Sequence, residues 1–130
     1  MSNLATLSRQ LASRDLSARD ALALSIARIG ATDARVNAFT DCCLERAMRE
    51  ADAVDAARAR GEALGPLAGV PYAVKNLFDI QGVTTRAGSR INRSLPPAGA
   101  DAVLVQRLRA AGALLVGALN MDEYAYGFTT

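Results

Sequence analysis

The sequence has no histidine, no tryptophan and a single lysine, Lys75, among fifteen Lys and Arg residues. Without histidine, Ser-His and Cys-His catalysis and His-ligated metal chemistry are excluded within this chain. Its two cysteines, Cys42 and Cys43, are adjacent, which disfavours an ordinary disulfide and leaves no second pair for a zinc site. No apolar run approaches about 18 residues and the first residues carry no apolar signal core, so we expect a soluble, cytoplasmic protein without a membrane span, metal or cofactor.

Charge and composition do not indicate direct nucleic-acid binding, and they favour a packed domain. The net charge is only +2, aromatic residues make up 5% and no basic block is present. Nucleic-acid-binding domains usually carry a patch or stripe of clustered Lys and Arg residues, which this sequence lacks. The hydrophobic fraction of 51% over 130 residues is enough for the core of about one domain.

Residues 1–63 are predicted to be a largely helical lead-in with no chemistry of its own. Apolar residues recur at steps of three and four, and glycines stand where helices are expected to stop, at Gly30 and Gly61. Ser17 is placed to cap the second helix. This segment is predicted to cover one face of a sheet or to contact a partner. Its expected elements are helices over 1–12, 17–29 and 42–60, a turn over 31–35 and an extended piece over 36–40.

Residues 64–130 predict a strand, a helix and a second strand. Five Gly and Pro residues between positions 61 and 71 break the helical pattern. A strand is expected over 72–78, then a helix over 102–111 capped by Asp101, with Leu104 among its inward residues, then a strand over 113–116. Such a unit has parallel strands joined right-handedly, with helices on both faces of the sheet. Another helix is expected from Asn120. The loop over 84–97 carries Arg86, Arg90 and Arg93, which are predicted to be solvated.

Lys75 is the candidate catalytic residue because lysine, unlike arginine, can lose its proton when it is desolvated. It lies in the mostly apolar run of residues 70–80. A lysine on a strand edge, with its stem packed and its ammonium in water, is the alternative interpretation. Composition and position alone leave both open.

Three stretches together resemble the amidase signature family: residues 65–76 (GPLAGVPYAVKN), 84–89 (TTRAGS) and 101–123 (DAVLVQRLRAAGALLVGALNMDE). The resemblance covers Ser17 to Thr130. It implies an α/β fold with a mixed sheet covered by helices, of which residues 1–63 and 64–130 are the helical lead-in and the first part of the core.

The resemblance also implies a Ser–cis-Ser–Lys triad in which Lys75 deprotonates a bridging serine that activates the nucleophilic serine. Ser89 matches neither serine, and both are expected beyond Thr130. We therefore expect the chain to be the front part of a larger domain and to be inactive alone. The implied partners are a small amide substrate and a small helical protein, whereas homo-oligomer formation stays open.

Three functions remain open at this point. Residues 120–130 are similar to the biuret-type amidohydrolase branch of the family, which favours hydrolysis of a linear carboxamide or biuret-like bond. The glutaminase component of glutamyl-tRNA amidotransferase usually has Asp where this chain has Asn76 and Phe where it has Tyr124. A non-catalytic fragment that acts only by binding is the third alternative.

Overall fold

The computed structural model describes residues 3–127 and shows a three-stranded mixed sheet between helical layers. The helices are α1 (Leu4–Ser13), α2 (Ala18–Val36), α3 (Leu44–Ala59) and α4 (Val103–Ala110); the strands are β1 (Phe39–Cys42), β2 (Pro71–Lys75) and β3 (Leu114–Leu119). Short 3₁₀ helices occupy Arg90–Ser94 and Glu123–Ala125. Among the described residues, no helix combines the length and apolar composition needed to cross a bilayer.

The central strand is β3, and it pairs parallel with β2 and antiparallel with β1. The predicted parallel pair joined through a helix is therefore confirmed. The extended piece before α3 adds a third strand, although it is displaced from residues 36–40 to Phe39–Cys42. Because β1 runs opposite to β2 and β3, its first residues lie at the carboxyl edge of the parallel pair.

Each face of the sheet is covered by helices, as predicted. Leu114 and Val116 of β3 pack with α2 and α3 through Leu22 and Ala51, among others. Leu115 packs on the other side with Val105 of α4. Burial on both faces explains why β3 is an almost continuous apolar run rather than an alternating one. The smaller α1 packs through Leu11 against α2 and the segment before β2.

Helix α2 runs through Gly30 to Val36, so the predicted stop and the turn over 31–35 are wrong. A Cβ added at Gly30 would meet nothing within 4 Å, which places this glycine on an open helix surface. The helix ends instead at Asn37, whose φ of 50° is left-handed and whose N–H donates to the Asp33 carbonyl. Asparagine tolerates this conformation, so it replaces glycine as the stop signal. At the other end, Ser17 caps α2 as predicted.

Asp101 does not cap α4, because its carboxylate is bound elsewhere. The cap position is Ala102, and Asp101 accepts two bonds of 2.8 Å from the Arg46 guanidinium of α3. Arg46 also donates to Glu50 over 2.8 Å. We call Arg46, Glu50 and Asp101 the Arg46 cluster. The inward position predicted for Leu104 is also wrong, since that residue is 42% exposed while Val105 is fully buried.

No α-helix begins at Asn120 within the described part of the chain. The segment after β3 is a loop with a short 3₁₀ helix, in which Tyr124 and Ala125 have positive φ angles of 51° and 57°. Two consecutive left-handed residues cannot continue a right-handed helix. The Asn120 side chain accepts from the Met121 N–H rather than from the third residue of a helix.

Candidate active site at the carboxyl edge of the sheet

Lys75 is the last residue of β2 and projects at the carboxyl edge of the parallel strands. Its Nζ lies 4.0 Å from Asp122 Oδ1, and its side chain is 47% exposed against 15% for Asp122. The desolvation expected for a lysine base is therefore not supplied by residues 3–127. Within that range, Nζ makes no hydrogen bond with a hydroxyl group. In open parallel α/β sheets, ligands bind at this edge.

Asn76 is the buried centre of the same edge, with only 2% of its surface exposed. Its amide Nδ2 donates to Thr40 Oγ1 over 2.7 Å and to Asp41 Oδ2 over 3.2 Å, which ties β2 to β1. Its Oδ1 accepts from the Arg86 N–H over 2.7 Å, and its carbonyl accepts from the Ala87 N–H over 2.7 Å. One side chain thus uses both donor and acceptor groups to hold the loop that follows β2.

Arg86 is held by a carboxylate, contrary to the prediction that it would be solvated. Its Nη2 donates to Asp41 Oδ1 over 3.1 Å, and both side chains are partly buried. The other Asp41 oxygen accepts from Asn76. Arg90 and Arg93 are exposed, as predicted for this loop.

The loop over 84–89 packs tightly against the loop after β3. A Cβ at Gly88, where φ is +71°, would lie 2.7 Å from the carbonyl oxygens of Met121 and Asp122, so only glycine fits. Ser89 is 4% exposed and donates to Glu123 Oε1 over 2.5 Å. The Tyr124 N–H donates to the Ala87 carbonyl over 2.8 Å. These contacts place Ser89 in a structural junction between loops.

Lys75, Asn76, Asp41, Arg86 and Asp122 form what we call the sheet-edge cluster. Sequence reasoning found Lys75 but missed Asn76, Asp41 and Asp122. For Asn76 a signal was available, since it is a polar residue directly after a buried strand. For Asp41 and Asp122 no local signal exists, because three distant segments meet only in the fold.

The sheet-edge cluster offers an ammonium group, a paired carboxylate and a rigid loop, facing an open edge. These groups can hold and move a proton and orient a polar ligand. An acyl-transfer site also needs a nucleophile, and residues 3–127 do not place one within hydrogen-bond distance of Lys75 Nζ.

Comparison with known proteins gives the family. The amidase family model matches residues 20–130. AtzE, which forms part of the 1-carboxybiuret hydrolase of Pseudomonas sp. strain ADP, is 70% identical over 92% of this chain and 26% of its own length. The GatA-type component of the Moorella thermoacetica glutamyl-tRNA(Gln) amidotransferase is 50% identical over 95% of this chain and 25% of its own.

A solved structure agrees with these sequence matches. It is described as an s-triazine catabolic enzyme in a vestigial protein complex, with an inhibitor bound. It superposes with a TM-score of 0.97 at 65% identity, over 99% of this chain and 28% of that one. The chain thus spans about a quarter of the length of the relatives that it matches. The resemblance drawn from three short stretches is confirmed, and the chain belongs to the amidase family.

Proposed function

We propose that this chain supplies the catalytic lysine, Lys75, to an amidohydrolase that cleaves a C–N bond of a linear carboxamide or biuret-like compound. The observation that carries the proposal is the 70% identity to AtzE of a 1-carboxybiuret hydrolase. The geometry supports it, because the only lysine stands at the sheet edge where such folds bind ligands. The expected partner is a small amide substrate, and the proposed location is the cytoplasm.

In the proposed mechanism, Lys75 takes a proton from a bridging serine, and that serine takes the proton of the nucleophilic serine. The nucleophile attacks the amide carbonyl, and backbone N–H groups hold the oxyanion. Protonation of the leaving nitrogen releases ammonia or an amine, and water then hydrolyses the acyl-enzyme. Both serines are expected beyond Thr130, so residues 1–130 alone should be inactive.

A lysine acts as a base only as the neutral amine, and burial favours that form over the charged ammonium. Residues 3–127 leave the Lys75 side chain 47% exposed. The mechanism therefore requires further residues to cover the carboxyl edge of the sheet. Carbon–nitrogen hydrolysis by residues 1–130 alone would contradict this requirement.

The test is ammonia release from biuret by the complete gene product, meaning the protein expressed from the whole reading frame. Lys75→Ala and Lys75→Arg should each lower kcat by about 10²–10⁴-fold, since neither residue can act as the base. Arg107→Ala, which removes an exposed cation on α4, is the matched control and should keep full activity. Loss of less than about threefold in both Lys75 variants would remove Lys75 from the mechanism.

A glutaminase of the amidotransferase type is the second candidate, supported by the 50% identity to the Moorella thermoacetica amidotransferase component. Asn76 and Tyr124 depart from the residues usual in that branch, which favours the hydrolase. Ammonia release from glutamine, with none from biuret, would reverse this preference.

We also propose that the helical lead-in, residues 1–63, contacts a small helical partner protein. Three large apolar residues of its helices are more than half exposed: Leu4, Leu24 and Val36. The solved relative described as part of a protein complex is consistent with such a contact in this group. Co-purification from the native host tests it. Recovery of the complete gene product alone, or only as a homo-oligomer, would argue against a partner protein.

A further inference from the structure

A cationic pocket opens at the carboxyl edge of the sheet, on the β1 side of the sheet-edge cluster. Its walls include Thr40, Arg86, Gly88, Arg90, Arg93 and Asn120. Three of these residues are arginines, and none of the residues lining the pocket is Asp or Glu. Two carboxylates next to the pocket are already bonded: Asp41 to Arg86 and Asn76, and Glu123 to the lining residue Ser89.

The 3₁₀ helix Arg90–Ser94 explains why the side chains of Arg90 and Arg93 both line this pocket. With three residues per turn, side chains at positions i and i+3 eclipse each other, so Arg90 and Arg93 lie on the same side. The helix is fixed at its start by Ser89, whose Oγ accepts from the Ile91 N–H over 3.4 Å. Asn92 fixes its middle by donating to the Arg86 carbonyl over 3.0 Å. The two guanidinium groups are thus presented by a supported segment.

Arg90 and Arg93 are exposed and make no direct pair with a carboxylate within residues 3–127. Neither side chain makes an ion pair or hydrogen bond there, although the same chain gives Arg46 two carboxylates. Two like charges placed side by side repel each other, and an anion bound between them removes that repulsion. Guanidinium groups match the planar, two-oxygen geometry of a carboxylate.

We propose that this pocket binds the carboxylate of an amide substrate that carries one, with Arg90 and Arg93 as the binding residues. The inference rests on the proposed amidase function in one respect: the anion belongs to the molecule that is hydrolysed. Arg86 stays with Asp41 and lines the same pocket. The pocket selects amides that carry a negative charge over neutral amides of the same size.

The test compares malonamate, an amide with one carboxylate, with neutral malonamide. Binding to the complete gene product is measured by titration calorimetry in a Lys75→Ala background, so that turnover does not interfere. Malonamate should bind more tightly than malonamide, and Arg90→Ala and Arg93→Ala should each weaken malonamate by about tenfold. Malonamide binding should not change. Arg107→Ala removes an equal charge outside the pocket and should leave both affinities unaltered.

Two further results separate a binding role from a structural one. Arg93→Lys should recover part of the lost malonamate affinity, because the charge returns without the planar fork. The preference for malonamate should shrink as ionic strength rises. Unaltered circular dichroism and melting temperature in Arg90→Ala and Arg93→Ala would show that the fold is intact.

The proposal is overturned if malonamate and malonamide bind equally, or if both alanine variants keep full malonamate affinity. Pairing of Arg90 and Arg93 with carboxylates elsewhere in the complete gene product would produce that second result. Failure of the proposed function gives a different result. If the protein hydrolyses no amide but binds malonamate more tightly than malonamide, the anion-binding pocket stands and the amidase function fails. If it hydrolyses amides without that preference, the amidase function stands and the anion-binding pocket fails.

Discussion

Arg46 and Lys75 both face carboxylates, but their surroundings are opposite. The Arg46 side chain is 18% exposed and meets Glu50 and Asp101, which are 13% and 6% exposed, over 2.8 Å each. Lys75 is 47% exposed and lies 4.0 Å from one carboxylate. Both carboxylates of the Arg46 cluster also accept from the backbone. Glu50 uses its second oxygen for the Leu115 N–H of β3, and Asp101 accepts the Gln81 N–H on an oxygen that also bonds Arg46.

The difference indicates which charges hold the fold and which are free to act. Glu50 caps an N–H of β3 at the point where β1 has ended, so the Arg46 cluster joins α3, the sheet and the start of α4. Its hydrogen bonds raise the pKa of Arg46 and lower that of Asp101. The sheet-edge cluster keeps Lys75 loosely paired beside a rigid loop. The proposed proton transfer needs Lys75 free of a tight ion pair and covered by further residues, whereas Arg46 is already held in place.

Removing Arg46 should produce the largest loss of stability. Arg46→Ala removes the closest counter-charge from two poorly exposed carboxylates and leaves Glu50 only Arg109, at 4.0 Å, which costs about 3–5 kcal/mol of unfolding free energy. Urea unfolding of the complete gene product measures it. Arg49→Ala, an exposed position on the same helix, is the control and should stay within about 0.5 kcal/mol of wild type. Similar small effects in both variants would mean that the Arg46 cluster does not support the fold.

Asn76 should be the most sensitive position of the sheet-edge cluster. Asn76→Asp replaces a donor by a carboxylate facing Asp41, over a contact that is 3.2 Å in the amide. Loss of the donor and the new repulsion should cost about 1–3 kcal/mol. In the double variant Asn76→Asp, Asp41→Asn, the new amide at position 41 can donate to the new carboxylate at position 76, so part of that loss should be recovered. A double-mutant cycle with no coupling between the two positions would contradict the assigned contact.

Acid should weaken the Arg46 cluster through Asp101. Its hydrogen bonds to Arg46 hold the pKa of Asp101 below its ordinary value of 3.8. A lowered folded-state pKa adds stability that is complete above the ordinary value and is lost as the pH falls through the lower one. Wild type should therefore lose more stability than Asp101→Asn on acidification below about pH 3.8. Arg46→Ala should resemble Asp101→Asn in this slope, and a wild-type slope in both variants would refute the link.

Much of the fold could be predicted because helix periodicity and the parallel-strand unit are local patterns. The existence of α1 to α4, the pairing of β2 with β3 and the cap at Ser17 all follow from spacing. The predicted helix boundaries are wrong where a residue type that commonly ends or caps a helix has a different role in the fold. Gly30 is helical because nothing around it demands a turn, and Asp101 leaves its cap role because Arg46 is within reach.

The candidate site was less predictable, since it is assembled from three segments. Lys75 was identifiable as the only lysine, and the family resemblance gave it a role. Asp41, Arg86 and Asp122 lie far apart in sequence, and only the antiparallel pairing of β1 with β3 and the loop packing at Gly88 bring them to one edge. The half-exposed side chain of Lys75 agrees with the alternative that the sequence left open, a lysine at a strand edge with its ammonium in water.

Lys75 should show the smallest effect on stability, and this completes the contrast with Arg46. Lys75→Met keeps the aliphatic stem and removes one half-exposed charge at 4.0 Å from its partner, so the unfolding free energy should change by less than about 0.5 kcal/mol. Urea unfolding is measured beside the Arg46→Ala series. A loss as large as that of Arg46→Ala would make Lys75 a structural ion pair and would remove the physical basis for assigning it a proton-transfer role. A stable Lys75→Met protein without hydrolytic activity would separate the two roles: Arg46 would be needed for the fold, and Lys75 only for the reaction.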